Sequence, residues 1–373
     1  MPVAALSGNI RRHMKLFSFA AMPVPHLTGH PEYPLFLCIF DALNPETLKK
    51  ILVIRFSSIG DIILTTPVLR SLKKQYPDSE IHFLLKEKYR RVIGANPYVD
   101  HIHGLENKLA PLLRELKAAR FDFVIDLHKN IRSIRVRMAL GKPSASFRKL
   151  NIQKWLLVNF KVNRLPDMHI VDRYFEAGRK LGISNDGRGL DYFIPPGDRL
   201  SRDDLPATHK NAFIAFVIGG MHYTKIFPAE KVVALCRLLH LPVVLLGGEE
   251  DRERAEQITD LCGQKVYNAC GLYNINQSAS LLDMAAKVVT NDTGLMHIAA
   301  ALQKPLISIW GNTVPEFGMY PYLPGKKELS DIVEIKGLPC RPCSKIGYGN
   351  CPKKHFRCMM DIEVEKLASV INA

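Results

Sequence analysis

No apolar run in the 373 residues reaches the roughly 18 positions that a bilayer-spanning helix needs. Neither G-x-G-x-x-G nor G-x-x-x-x-G-K-[ST] occurs, which weighs against a dinucleotide-dependent dehydrogenase and against a P-loop nucleotidase. No Asp-x-Asp metal pair lies near the phosphate-binding candidates described below. Short-period repeats and low-complexity tracts are absent. The eight cysteines are too few for the framework of a small secreted domain. Cys38, Cys236, Cys262 and Cys270 are scattered, as suits a reducing compartment, whereas Cys340, Cys343, Cys351 and Cys358 crowd together near the C-terminus.

What is present points to a large α/β protein with an anionic partner. Apolar residues make up 47% of the chain and the mean hydropathy is −0.02, values of a globular chain. Its length predicts two domains of roughly 150 residues each. The net charge of +15 suits nucleic acid, a membrane surface or a phosphorylated substrate. The first 49 residues stand apart. "RRHMKLFSFAAMPV" places basic residues before a short apolar stretch, as a signal peptide does. The histidines and prolines that follow, with no small-residue cleavage site, read instead as a poorly ordered extension.

From Lys50 onward, β-rich runs alternate with helical periodicity. Strands are expected at 51–55, 80–85 and 123–126, with helices at 65–75, 89–95 and 108–119 between them. The proline- and charge-rich stretch 193–211 reads as a linker. The alternation then restarts, with strands at 212–218, 242–247, 287–290 and 305–310 and helices at 228–239, 251–262, 277–286 and 295–302. Two such halves predict two Rossmann-like domains with parallel sheets facing a central cleft, one over 50–200 and one over 201–373. Ligands would lie at the carboxyl ends of the strands.

The motifs fall at those ends. "RFSSIGDIILTTPVL" follows the first strand and opens a helix with Asp61 at its start, either as a cap or as a proton acceptor. "NDTGLMHIAAAL" places Asp292, Thr293 and Gly294 at a helix start, where free N–H groups and the helix dipole favour a diphosphate. An ordinary cap explains the same residues, and His297, one turn on, also fits a structural role. "IGGMHYTKIFP" offers Thr224 and Lys225 in a glycine-opened loop, the lysine as a mobile charge for phosphate or as a solvated surface residue. "LLGGEEDRERAE" brings Glu249 or Glu250 to a position where an acid bonds ribose hydroxyls, or simply favours a helix start. Together these loops describe a nucleotide-diphosphate pocket with no metal ion and no other cofactor required.

In order and spacing, "IRFSSIGDIILTTPVLRSLKKQYP", "MHYTKIFP", "GGEEDRERAE" and "NDTGLMHIAAALQKPLISIWG" resemble glycosyltransferase family 9, the ADP-heptose:lipopolysaccharide heptosyltransferases. The resemblance implies a GT-B fold, with the acceptor on the N-terminal domain and the nucleotide sugar on the C-terminal one. It implies inverting, metal-independent transfer with Asp61 as general base. Ser58 and Gly60 would lie beside the acceptor, and Gly60 would leave room for its sugar. Lys225, Thr224, Thr293 and Gly294 would hold the diphosphate, with His297 near the same end. Asp292 would hold the donor sugar, and Glu249 or Glu250 the ribose. A GT-B-like nucleotide-sugar epimerase and a non-enzymatic, nucleotide-responsive basic module are the alternatives.

Between Lys129 and Lys154 there is no acidic residue but eight basic ones, among them Lys129, Arg132, Arg135 and Arg137. With Ile131, Ile134 and Met138 they predict a basic amphipathic segment. It would meet an anionic lipid-linked acceptor on the inner face of the cytoplasmic membrane, or be a solvated basic face. No aromatic-rich nucleic-acid motif accompanies the charge, so no nucleic-acid partner is expected. The four C-terminal cysteines have the spacing C-x2-C-x7-C-x6-C, with only one of the two C-x2-C pairs that tetrathiolate sites favour. A structural metal there stands beside reduced thiols or disulfides.

Overall fold

The computed structural model describes residues 48–373, so most of the expected N-terminal extension (1–49) lies outside the described residues. Two all-parallel sheets organise the chain. The first contains β1 (Lys50–Ile54), β2 (Glu80–Lys86), β3 (His101–Leu105), β4 (Phe123–Asp126) and β5 (Ser144–Ser146), in the order β3-β2-β1-β4-β5. The second contains β6 (Ile214–Val217), β7 (Val243–Leu246), β8 (Val266–Asn268), β9 (Lys287–Asn291), β10 (Leu306–Trp310) and β11 (Ser330–Glu334), in the order β11-β10-β9-β6-β7-β8. Both are doubly wound. Each strand order reverses beside the first strand of its sheet, and loops diverging there leave a crevice at the carboxyl ends. In the first sheet that crevice lies beyond β1 and β4, and in the second beyond β6 and β9.

The central strands are buried along nearly their whole length: "KILVI" and "FVID" in one sheet, "IAFV", "VVLL" and "LISIW" in the other. Helices on both faces remove them from water, which is why they read as continuous apolar runs. The segment 193–211 carries three single-turn 3-10 helices, Pro196–Asp198, Arg202–Asp204 and Ala207–His209, between the two sheets. The helix Ile170–Gly178 packs back onto the first sheet and the Thr66–Gln75 helix, and the C-terminal helix Val364–Asn372 packs on Ala229–Leu238. Among the described residues no helix is long and apolar enough to cross a membrane.

The largest apolar cluster runs through both halves, from Ile51 and Val53 to Val217, Met296 and Ala299. Its tightest point is where two short helices meet, Ile59–Ile63 after β1 and Gly294–Ala301 after β9. A Cβ at Gly294 would lie 2.8 Å from Ile59 Cβ and 3.2 Å from the Gly60 nitrogen. A Cβ at Gly60 would lie 2.5 Å from His297 Cδ2 and 3.4 Å from Gly294 Cα. The expected open space beside Gly60 is therefore filled by the His297 ring: this glycine admits the other half of the chain, not a sugar.

Gly294→Ala is expected to lower the unfolding free energy by about 1–3 kcal/mol, because backbone on the opposite side cannot yield. Gly197→Ala, where nothing lies within 4 Å, serves as the control. Thermal unfolding of the two variants checks this. Equal melting temperatures would mean that the glycine contact carries no constraint.

Candidate active site

Asp61 is held from two sides. Arg55, the residue after β1, places Nη2 2.5 Å from Asp61 Oδ1. Ser58 donates to Oδ2 from its backbone N at 3.1 Å and from Oγ at 3.0 Å. Arg55 is itself fixed, donating Nη1 to Leu127 O at 2.6 Å and Nε to Ser57 O at 2.8 Å. Burial pushes the Asp61 carboxyl up, but the Arg55 charge and the Ser58 hydrogen bonds outweigh it and hold the group below its ordinary value. Asp61 therefore stays ionised, with 21% of its side chain reaching solvent.

Across the Gly60–Gly294 contact lie the loops after β6 and β9. Lys225 Nζ sits 2.6 Å from Asp292 Oδ2, and Thr313 Oγ1 donates to the same oxygen at 2.8 Å. Two residues expected to hold different parts of the donor are thus paired with one another. Thr293 caps the Gly294–Ala301 helix without a side-chain hydrogen bond, which leaves the first N–H groups of that helix free of such a cap. His297 is buried between these groups. Desolvation lowers its pKa to about 4 against the pull of the Asp292 and Asp61 carboxylates, so it is neutral at pH 7. Asp61, Lys225, Asp292, Gly294 and His297 are therefore brought together.

Other expected site residues are placed differently. Thr224 is buried and tied to the C-terminal loop: it accepts from Tyr348 N at 2.8 Å and donates to Tyr348 O at 3.2 Å. Its hydroxyl is occupied by that loop rather than open to a phosphate. Glu249 and Glu250 are both exposed, Glu249 beside Arg252 at 3.2 Å, and both are free of the core. The third acid of that run, Asp251, is the buried one. It accepts from Gly248 N and Arg254 Nη2 and fills the space that a Cβ on Gly219 or Gly247 would need. Asn291 Nδ2 reaches Ile218 O and Gly219 O at 3.0 and 3.2 Å, while its Oδ1 accepts from Phe227 N, so it fixes both ends of the lysine loop. Sequence reasoning passed over both, although an Asn closing an apolar strand is a visible signal.

The cations divide into two groups. Arg132 and Arg135 are exposed on the helix Ile131–Leu140. Arg132 lines an open cavity of about 380 Å³ with Lys86, Glu87 and Lys88, none of which belongs to the Asp61–Lys225 cluster. Lys129 donates Nζ to Phe147 O at 2.9 Å, and Arg137 donates Nε to Ser144 Oγ at 3.0 Å, so both hold the β4–β5 region together. The cations that act electrostatically around Asp61 are others. Burial and then the Arg173 charge lower the Lys154 pKa, against the pull of Asp61, to about 8. Lys149 is likewise lowered, first by burial and then by Arg55. Arg173 is 2% exposed, with Nε and Nη1 unpartnered and Nη2 on Phe317 O at 3.0 Å.

The cysteine-rich loop braces the loops after β6 and β10. Arg341 donates to Gly311 O at 2.6 Å and to Thr313 O at 2.8 Å, and pairs with Glu334 at 2.7 Å. Cys340, Cys343, Cys351 and Cys358 are free thiols. Burial pushes Cys343 up to about 11 and Cys358 up to about 12. Cys340 Sγ lies 3.8 Å from His355 Nε2.

The family profile of glycosyltransferase family 9 (heptosyltransferase) matches residues 109–347. The chain belongs to this family. It is 25% identical over 292 residues to lipopolysaccharide heptosyltransferase 1 of Campylobacter coli, covering 71% of this chain and 84% of that protein. It is 27% identical over 348 residues to lipopolysaccharide heptosyltransferase 1 of Pseudomonas aeruginosa, covering 85% and 92%. The solved structure of Escherichia coli ADP-heptose LPS heptosyltransferase II superposes with a TM-score of 0.65 at 22% identity, covering 87% of this chain and 97% of that one. The fold is GT-B and the chain is a glycosyltransferase of family 9.

In this glycosyltransferase the Arg55–Asp61 pair also sets a pH dependence. Asp61 titrates lower folded than unfolded. The pair therefore stabilises the chain above the unfolded carboxylate range near 4, and that contribution is lost as pH falls through the folded value. In Arg55→Met, burial acts unopposed by the guanidinium. The acid limb of the kcat/KM profile is expected to move upward, and stability at pH 7 to fall by roughly 3–5 kcal/mol. An unmoved limb would show that Arg55 does not tune Asp61.

Proposed function

We propose that this chain transfers a heptose from ADP-heptose to a hydroxyl of a lipopolysaccharide-core acceptor, with inversion and without a metal ion. The observation that carries the reading is a carboxylate held ionised after β1, on a helix that packs against the helix start after β9, where Lys225 of the loop after β6 pairs with Asp292. Asp61 takes the proton of the acceptor hydroxyl while its oxygen bonds to the anomeric carbon and the bond to the diphosphate breaks. The negative charge on departing ADP falls on Lys225 and on the N–H groups at Thr293 and Gly294. Binding requires an exchange: the diphosphate takes Lys225 from Asp292, and the released Asp292 turns to the donor sugar's hydroxyls. Glu249 or Glu250, exposed beside that pocket, holds the ribose.

The acceptor in this reading is anionic, because Lys149 and Lys154 bring positive charge toward the base, Lys154 has Arg173 beside it, and among the described residues none of the three is in ion-pair contact with a carboxylate. Charge and exposed apolar groups also favour peripheral binding to the inner face of the cytoplasmic membrane. Ile131 and Met138 stand out beside Arg132 and Arg135, and Ile152, Trp155 and Phe160 stand out on the helix Asn151–Phe160. A basic surface with protruding aromatic and aliphatic side chains suits an anionic lipid headgroup region.

Asp61→Asn is expected to lower the transfer rate by roughly 10²–10⁴-fold while ADP still binds, since a positioned base is worth about that much. Lys225→Ala should weaken ADP binding by roughly tenfold or more, the loss of a charge-assisted hydrogen bond. Product assays and calorimetry with ADP, UDP and GDP decide the matter. Full activity in Asp61→Asn, or a preference for UDP or GDP, sinks the proposal. Co-sedimentation with phosphatidylglycerol vesicles should drop for Trp155→Ser/Phe160→Ser, and wild type that stays in the supernatant would remove the membrane role.

A further inference from the structure

At the opposite ends of the strands from Asp61, a row of polar side chains runs across β2 and β3. Period-two alternation puts Glu80 and His82 on one face of β2, and His101 and His103 on the same face of β3, with His82 and His101 in register. His82 Nε2 lies 3.1 Å from Glu80 Oε2, and His101 Nε2 lies 3.6 Å from the same oxygen. The His82 and His101 rings stack with centroids 4.5 Å apart. Behind them, His82 Nδ1 is 2.9 Å from His103 Nε2, and His103 Nδ1 meets Glu115 of the helix Leu109–Ala118. Phe121 closes the row on its apolar side. Among the described residues this is the one place where three side chains of ligating type bring their donor atoms within 4.8 Å of one another.

The row is short of hydrogens. Three links stand in line: Glu80–His82, His82–His103 and His103–Glu115. Each requires one N–H, yet two neutral imidazoles carry only two. If His103 donates to Glu115 and His82 donates to His103, then His82 Nε2 presents a lone pair to the Glu80 carboxylate. Reversing both tautomers moves the same clash to Glu115. His82 and His103 are both buried, 4% and 8% exposed, and Phe121 packs against both rings. A cation between His82 Nε2 and Glu80 removes the clash at the end that opens to solvent.

We propose that Glu80, His82 and His101 bind one first-row divalent cation of the Zn²⁺ class, with His103 and Glu115 orienting His82 from behind. Two imidazoles and a carboxylate are the ligands such ions prefer, and the spacing of the donor atoms suits a tetrahedral ion with one position left to water. A ligating histidine whose other nitrogen is held by a hydrogen-bonded partner is the usual outer arrangement of these sites. The ion would clamp the edge strand β3 to β2 and takes no part in transfer. One competitor is present: Lys50 Nζ reaches Glu80 Oε2 at 3.0 Å from the neighbouring strand, and must turn out to solvent when the ion binds.

Cobalt titration of the full chain tests this, because Co²⁺ distinguishes an imidazole–carboxylate site from any ligation by the C-terminal thiols. Thiolate ligation gives a charge-transfer band, whereas imidazole and carboxylate ligation gives d–d bands without one. Wild type is expected to show d–d intensity with no accompanying charge transfer, lost in His101→Ala, whose side chain is 57% exposed. Affinity should fall roughly tenfold in Glu115→Gln and rise in Lys50→Ala. Identical titrations of wild type and His101→Ala, or charge-transfer bands alone, would overturn the proposal and leave the row held by an extra proton.

Discussion

The close approach of Gly60 to Gly294 is the constraint on which the rest of the site depends. Two helices from different sheets meet through their first turns, and neither position has room for a Cβ. Because each helix begins at the carboxyl end of a central strand, the contact brings two topological switch points together. It also determines what lies beside it. Asp61 follows Gly60 by one residue, Asp292 precedes Gly294 by two, and His297 fills the space that a side chain at Gly60 would take. A loop pair joined by flexible side chains would leave the distance between base and donor variable, and catalysis by positioning tolerates little of that.

The electrostatics follow from this geometry. Buried carboxylates and imidazoles in so small a volume would ordinarily neutralise themselves. Here Asp61 keeps its charge because Arg55 and Ser58 hold it, while Lys225 pairs with Asp292 across the contact. The two pairs are not equivalent. Arg55 is anchored by backbone carbonyls on both sides, so its pairing with Asp61 is permanent. Lys225 has a flexible stem and one carboxylate partner, and such a pair is suited to exchange when a phosphate arrives. His297, neutral between them, adds no charge and separates the two systems.

Much of the fold was legible in the sequence, and the parts that were not share a cause. The central strands announced themselves as apolar runs. The four strands that escaped notice, β3, β5, β8 and β11, are the edges of the two sheets. "HIHGL", "SAS", "VYN" and "SDIVE" have one side paired and are partly solvated, so their sequences carry little of the apolar signal. The site divided in a similar way. Asp61, Lys225 and Asp292 stood out through motif spacing. Lys149 and Lys154 were legible only as part of a basic run, because their proximity to Asp61 is a product of tertiary folding across more than eighty residues of chain. Thr224 was misread for the opposite reason: its place beside Lys225 suggested a ligand, while its hydroxyl is committed to a loop more than a hundred residues away.

That commitment ties the C-terminal loop to the loop that carries Lys225. The loop after β11 has almost no regular structure until Arg357, and it is held by polar contacts to the loops after β6 and β10. Tyr348 brackets Thr224 from both sides, Asn312 N donates to Thr224 O, and Cys343 N donates to Asn312 O. Arg341 then ties the same segment to Gly311 and Thr313, and Thr313 in turn donates to Asp292. The orientation of Lys225 and Asp292 is thus set through a continuous set of hydrogen bonds that ends among the cysteines. Burial pushes the Cys343 and Cys358 thiols up, so those two add no charge there. The loop therefore fixes the backbone on which Lys225 and Asp292 stand, and it does so through backbone and side-chain hydrogen bonds rather than through the thiols.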